Sequence, residues 1–217
     1  AGFRFDIFIV KPTNTAINNE KFEDKIPDTL VYNRNSNTQY YTFQEAVDAA
    51  SSSDVLELWP GRYQETVDIN KRLTILGSGT SKTIIDARYQ GSPIYVQNSG
   101  DYTTIQDLRV THSYNSTYSG SSSGAYAGIR LYQADSVTIS NVYFFETYNG
   151  LITYYLNDLV INNSTFEAAT SGYYGIHLTN SYNTKDSFLL ENSEIQGYKY
   201  GINMQSLYKG INIYNNY

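Results

Sequence analysis

Residues 128–144, GIRLYQADSVTISNVYF, align without a gap on residues 150–166, GLITYYLNDLVINNSTF. Each stretch opens on glycine and reaches an apolar pair, Val137 and Ile139 or Leu159 and Ile161. Each then carries an asparagine, Asn141 or Asn163. Looser copies begin at Gly175 and Gly201 and give Phe188, Leu190, Asn192 and Ile211, Ile213, Asn215. An earlier one supplies Thr103, Ile105 and Asp107. Successive starts lie roughly 22 to 26 residues apart, room for three short strands with their turns but not for a helix in each unit. The period predicts an all-β, single-stranded parallel β-helix, a solenoid in which alternate residues fill a common core and equivalent positions stack about 4.8 Å apart. A propeller blade needs roughly 40 residues, and the leucine spacing does not fit leucine-rich repeats. Asn141, Asn163, Asn192 and Asn215 are expected to form one structural ladder at a turn, turned inward, each amide donating to the next coil.

Working outward from the repeats, residues 41–217 read as the β-helix and residues 1–40 as an N-terminal extension with one strand, where Phe3, Phe5, Ile7 and Ile9 alternate. Within the β-helix, Thr42 as N-cap with Glu45 three residues later opens a short capping α-helix over 42–50. The coils then occupy 54–217. They are interrupted by a polar loop over 112–126, HSYNSTYSGSSSGAY, which carries Asn115, the expected glycosylation site. Asn162 and Asn163 also head sequons, but Asn163 is assigned to the ladder. The last copy stops short of its third strand. Ile202, Met204, Ile211 and Ile213 are therefore expected to need a cover, and self-association through the open C-terminal coil, building a filament, is one way to supply it.

Composition narrows the function. The 217 residues carry a net charge of −6, and the 15 Lys and Arg form no cluster, so nucleic acid and anionic lipid are set aside as partners. Cysteine is absent, which excludes disulfides and thiolate metal sites. No apolar run approaches the roughly 20 residues of a membrane span. Charged residues are only 17% while Tyr reaches 23, so the polarity comes from uncharged hydrogen-bonding groups. That pattern suits an extracellular protein, or one on a cell or virion surface.

The segment YYTFQEAVDAASSSDVLELWPGRYQETVDINKRLTILGSGTSKTIIDA, residues 40–87, resembles the start of the pectin-lyase-like superfamily. It has a helix, an apolar strand ending in Pro-Gly-x-Tyr, then E-x-V-x-I-x-K-x-L-T-I-x-G and T-I-I-D. With the Gly-Ile-x-Leu and Ile-x-Asn coils downstream, the resemblance covers about residues 40–217 and implies a right-handed parallel β-helix. It does not choose among the superfamily's lyases, hydrolases, esterases, tailspikes and adhesins.

The hydrolase motifs of that superfamily, Asn-Thr-Asp, Asp-Asp and Gly-His-Gly, would precede successive Gly-Ile-x-Leu strands. Tyr126 and Ala127, Tyr148 and Asn149, Tyr173 and Tyr174, and Tyr198 and Tyr200 stand there instead. No catalytic set is assigned; Arg130, as a base, and His177 are the nearest candidates. Aligning the coils places Tyr95, Arg130, Ile152, His177 and Asn203 in one outward column. Gln97, Tyr132, Tyr154, Thr179 and Gln205 fall in the next, with no carboxylate expected in either. Tyr95, Arg130, Tyr132, Tyr154 and His177 are thus the candidate carbohydrate-binding residues, since aromatic faces pack on sugar C–H groups and polar side chains bond hydroxyls. The expected function is a structural or adhesive module contacting polysaccharide or a glycan surface, with no cofactor and no metal. The alternative is a polysaccharide lyase or glycoside hydrolase acting on acidic polysaccharide, for which calcium would be the cofactor of the lyase.

Overall fold

A computed structural model describes residues 30–113, 126–179, 187–205 and 210–217. Its strands stack in register as three parallel faces. The first joins β3 (Val55–Leu58), β6 (Thr74–Leu76), the start of β9 (Thr104–Thr111), the start of β11 (Val137–Thr147), β13 (Leu159–Asn162), β15 (Ser187–Glu191) and β17 (Gly210–Tyr214). The second runs from β4 (Gly61–Tyr63) through β7 (Thr83–Asp86) and the ends of β9 and β11 to the starts of β14 (Thr165–Thr179) and β16 (Glu194–Met204). The third links β5 (Val67–Ile69), β8 (Ile94–Gln97), β10 (Ile129–Tyr132), β12 (Asn149–Tyr154) and the ends of β14 and β16. The chain is a β-solenoid, as the period requires.

The core follows from alternation. On the first face Leu56, Ile75, Ile105, Ile139, Ile161 and Leu190 occupy one register column, and every one is fully buried. On the second, Val110, Phe144 and Phe166 stack in line, and the two phenylalanine rings lie face to face at 4.1 Å with 8° between their planes. At the C-terminal end the same columns reach Ile211 and Ile213, which are 45% and 44% exposed, while Ile202 and Met204 still pack against the core.

The repeated asparagine has a different job from the one expected. Asn141, Asn163, Asn192 and Asn215 do sit at one corner, with φ between 48° and 54°, and Asp107 shares it at φ 59°. All four asparagine side chains are exposed. Asn141 Nδ2 donates to Asp107 Oδ1 at 2.6 Å, but no inward amide stack forms. The corner needs left-handed backbone, which Asn and Asp tolerate better than other residues with a Cβ, so the repeat selects a conformation. The inward ladder belongs to the next residue. Ser164 Oγ accepts from Val142 N, Ser193 Oγ accepts from Ser164 N, and Asn216 Oδ1 accepts from Ser193 N, at 3.2, 3.1 and 2.8 Å. Those hydroxyls and that amide satisfy backbone donors that the corner turns away from the sheets.

The N-terminal end is closed more fully than expected. Helix α1 (Phe43–Ala49) buries Phe43, Ala46 and Val47, and Thr42 Oγ1 accepts from Glu45 N at 3.2 Å as the cap reading requires. Glu65, a residue from the first coil, takes the other open donors, Phe43 N at 2.8 Å and Gln44 N at 3.0 Å. Residues 31–40 belong to this cap: β1 (Val31–Asn33) pairs antiparallel with both β2 (Thr38–Tyr40) and β3. The boundary expected at residue 40 therefore moves toward the N-terminus. The strand expected at Phe3–Ile9 and the glycan site at Asn115 lie outside the described residues.

Candidate functional site

The third face carries the two outward columns in the register expected. Tyr95 pairs with Arg130, Arg130 with Ile152, Ile152 with His177 and His177 with Asn203. Alongside, Gln97, Tyr132, Tyr154 and Thr179 stack in turn. One residue was missed: Asp68 pairs with Tyr95, so a carboxylate begins the first column after all. The first coil has no Gly-Ile-x-Leu text to align, so Asp68 gave no repeat signal.

Asp68, Tyr95 and Arg130 line a cleft of about 150 Å³ together with Thr66, Gln90, Gly91, Ser92 and Tyr126. Local chemistry holds its walls. Gln44 of the capping helix accepts from Asp68 N at 2.7 Å and donates to Asp68 O at 3.3 Å. Ser92 Oγ accepts from Ala127 N at 3.1 Å, and Asn149 Nδ2 donates to Tyr126 O at 2.9 Å, which fixes the far wall. A Cβ on Gly91 would stand 3.2 Å from Thr66 Cγ2 and 3.8 Å from Tyr126 Cε1, so glycine keeps the floor open. The Arg130 guanidinium lies over Tyr95, 4.7 Å from the ring centre, and over Tyr154 at 5.4 Å. Partial desolvation pushes the Asp68 carboxyl above its ordinary range; Arg130 opposes the shift and Asp48 adds to it. Burial likewise raises the Tyr95 hydroxyl, against the pull of Arg130.

The other predicted residues fare differently. Tyr154 is only 4% exposed and joins Ile152 and Ala127 in a small apolar cluster outside the main core, with Tyr132 packed against it. Tyr154 therefore supports Arg130 and does not present a ring to solvent. His177 is half-buried against Tyr174, ring centres 4.1 Å apart, and its Nε2 is buried with no hydrogen-bond partner. Burial pushes its pKa down to about 4, against a smaller opposing effect of Gln205, so the ring is neutral. The unfolded chain, with His near 6.5, takes the proton first. The contribution of His177 is thus complete above about pH 6.5 and is lost as pH falls to about 4. Urea midpoints measured from pH 7 to pH 4 are expected to drop by a one-proton slope that His177→Gln removes; superimposable profiles would refute this.

A second polar cluster went unread. His112, expected in the polar loop, is held at the edge of the second face, where Nδ1 meets Asp86 Oδ1 at 2.9 Å and Nε2 meets Glu146 Oε2 at 3.0 Å. Arg62 Nε donates to Asp86 Oδ2 at 2.7 Å. Burial alone would raise the Asp86 carboxyl, but the Arg88 amide, His112 and Arg62 together hold it below its ordinary value. The cluster ties successive coils, and its polar atoms satisfy one another. Asp135 and Asp158 act in turns, Asp135 accepting from Asn157 N at 3.0 Å and Asp158 from Ser187 N at 3.1 Å. Among the described residues no group of three or more His, Asp or Glu side chains is arranged to hold a metal, and no helix is long and apolar enough to cross a membrane.

With three parallel faces and a helical N-terminal cap in place, comparison with solved structures gives a match. The fold is similar to that of a pectin methylesterase. That structure, a point mutant in complex with a hexasaccharide, shares 12% identity with this chain at a TM-score of 0.44. The match covers 80% of this chain and 64% of the esterase, so the chain spans under two thirds of that protein's length. At this distance the likeness carries nothing about activity or substrate. No family model matches the sequence, and no curated protein does.

Proposed function

We propose that this chain is an extracellular or surface-exposed structural β-helix that binds polysaccharide through the cleft of its third face. The observation that carries the reading is Arg130, a cation laid over Tyr95 at the wall of a cleft lined by Thr66, Gln90 and Ser92. A ring face, a guanidinium and short polar side chains within one small concavity are what a sugar ring requires. Arg130→Ala and Tyr95→Ala are each expected to weaken glycan binding by roughly 10-fold or more, as loss of hydrogen bonds to a charged group implies. Calorimetry against acidic and neutral polysaccharides measures it, with circular dichroism confirming the fold. An absence of binding to every glycan would dispose of the reading.

One observation favours catalysis as a second reading: Asp68 has a raised pKa beside Arg130, which suits a general acid. Against it, glycoside hydrolysis uses a pair of carboxylates across the scissile bond, and among the described residues Asp68 is the single carboxylate lining this cleft. Depolymerisation that Asp68→Asn abolishes would reverse the order of the two readings.

A further inference from the structure

The exposed corner asparagines change the reading of one sequon. Asn-x-Ser/Thr triplets begin at Asn115, Asn162 and Asn163. Asn115 lies outside the described residues, which leaves the overlapping pair in Asn162-Asn163-Ser164-Thr165. Asn162 depends on the hydroxyl of Ser164, and Asn163 on that of Thr165. An inward Asn163 would be closed to modification, but the corner turns it outward.

The two neighbours differ in what holds them. Asn162 ends β13 on the first face, where it pairs with Ser140 and Glu191, is half-buried and accepts from Ser140 Oγ at 2.5 Å. Ser164, the hydroxyl that this sequon needs, is 1% exposed and already committed: its Oγ donates to Asn162 O at 2.9 Å and accepts from Val142 N at 3.2 Å. Asn163 stands one residue further on, exposed, at φ 48° between the first and second faces. Its Nδ2 reaches Asn162 Oδ1 at 3.4 Å, beyond the usual range of a hydrogen bond, whereas Asn141 Nδ2 is held by Asp107 Oδ1 at 2.6 Å. Thr165 opens β14, half-buried, paired with Tyr143 and Glu194. In the adjoining coils Asn141 and Asn192 fill the same corner, so the column above and below Asn163 is short and polar. Of the four corner asparagines Asn163 alone has Ser or Thr two positions on; the others are followed there by Tyr143, Glu194 and Tyr217.

We propose that Asn163 is the acceptor of an N-linked oligosaccharide. A bond forms between Asn163 Nδ2 and the anomeric carbon of a lipid pyrophosphate-linked oligosaccharide. The anomeric C–O bond breaks, the lipid pyrophosphate leaves with its electron pair, and an Nδ2 proton passes to a base of the transferring enzyme. The inference rests on the surface location proposed above, since such a bulky, hydrated group belongs on the surface of a secreted chain. At this corner the glycan leaves from between the first and second faces. The Arg130 cleft opens on the third, so the two do not compete for space.

The test is to secrete the chain from a eukaryotic cell behind the host's leader, release glycans with peptide N-glycosidase in heavy-oxygen water, and map the isotope-labelled aspartate by mass spectrometry. The label is expected at position 163. Thr165→Ala, which leaves the corner residue in place, should abolish it, and Asn162→Gln should not. Asn163→Asp keeps a residue suited to positive φ and should lose the glycan while circular dichroism stays unchanged. Label at 162 in place of 163, at 115 alone or nowhere overturns the proposal, as does a label at 163 that survives Thr165→Ala. Polysaccharide binding is measured separately on the same secreted chain by calorimetry. Its failure with position 163 labelled would dispose of the cleft reading and leave the acceptor site standing.

Discussion

Phe166→Ala is expected to lower the unfolding free energy by about 3–5 kcal/mol, the usual cost of removing a large ring from a closed core. Phe166 is fully buried, stacks on Phe144 at 4.1 Å, and is followed in its column by Ile195. Its coil is held above and below by backbone ladders, so the walls cannot collapse into the space without breaking register. Urea denaturation followed by tyrosine fluorescence gives the value. A loss under about 1 kcal/mol would mean that the second face is far looser than its geometry.

Gly150→Ala should cost roughly 1–3 kcal/mol or more, although its backbone is an ordinary strand conformation. A Cβ there would lie 2.4 Å from the carbonyl oxygen of Gly175 and 2.6 Å from Phe166 Cδ1. The ring contact can yield; the carbonyl belongs to the next coil and cannot. Combining Gly150→Ala with Phe166→Ala should therefore relieve part of the clash and give a sum that is not additive. Gly201 supplies the control. It holds the same repeat position, but among the described residues a Cβ on it would meet only Ile195 Cγ2 at 3.9 Å, so Gly201→Ala should stay within about 0.5 kcal/mol. Equal effects at the two glycines would show that coil-to-coil approach is not the reason for the repeated glycine.

Much of this was legible because one coil repeats the next. Once Val137 and Ile139 are matched with Leu159 and Ile161, every intervening residue is assigned to a face. The column of Tyr95, Arg130, Ile152 and His177 follows without any coordinates. The asparagine repeat was legible as a corner and misread as a buried ladder: the sequence shows that Asn recurs there but not that its φ is positive. Tyr154 was placed in the right column, yet its burial beside Ile152 depends on packing outside the solenoid, which alternation does not report.

By itself the sequence determined the solenoid, its core columns and its helical cap, because period and alternation are local properties that a one-coil register carries through the whole stack. Only the tertiary structure decided the site. Asp68 comes from a coil with no matching repeat, Glu65 reaches a helix end 21 and 22 residues away, and His112 joins Asp86 and Glu146 across separations of 26 and 34 residues. Contacts of that kind are set by where side chains meet after the coils have stacked, and no spacing along the chain encodes them.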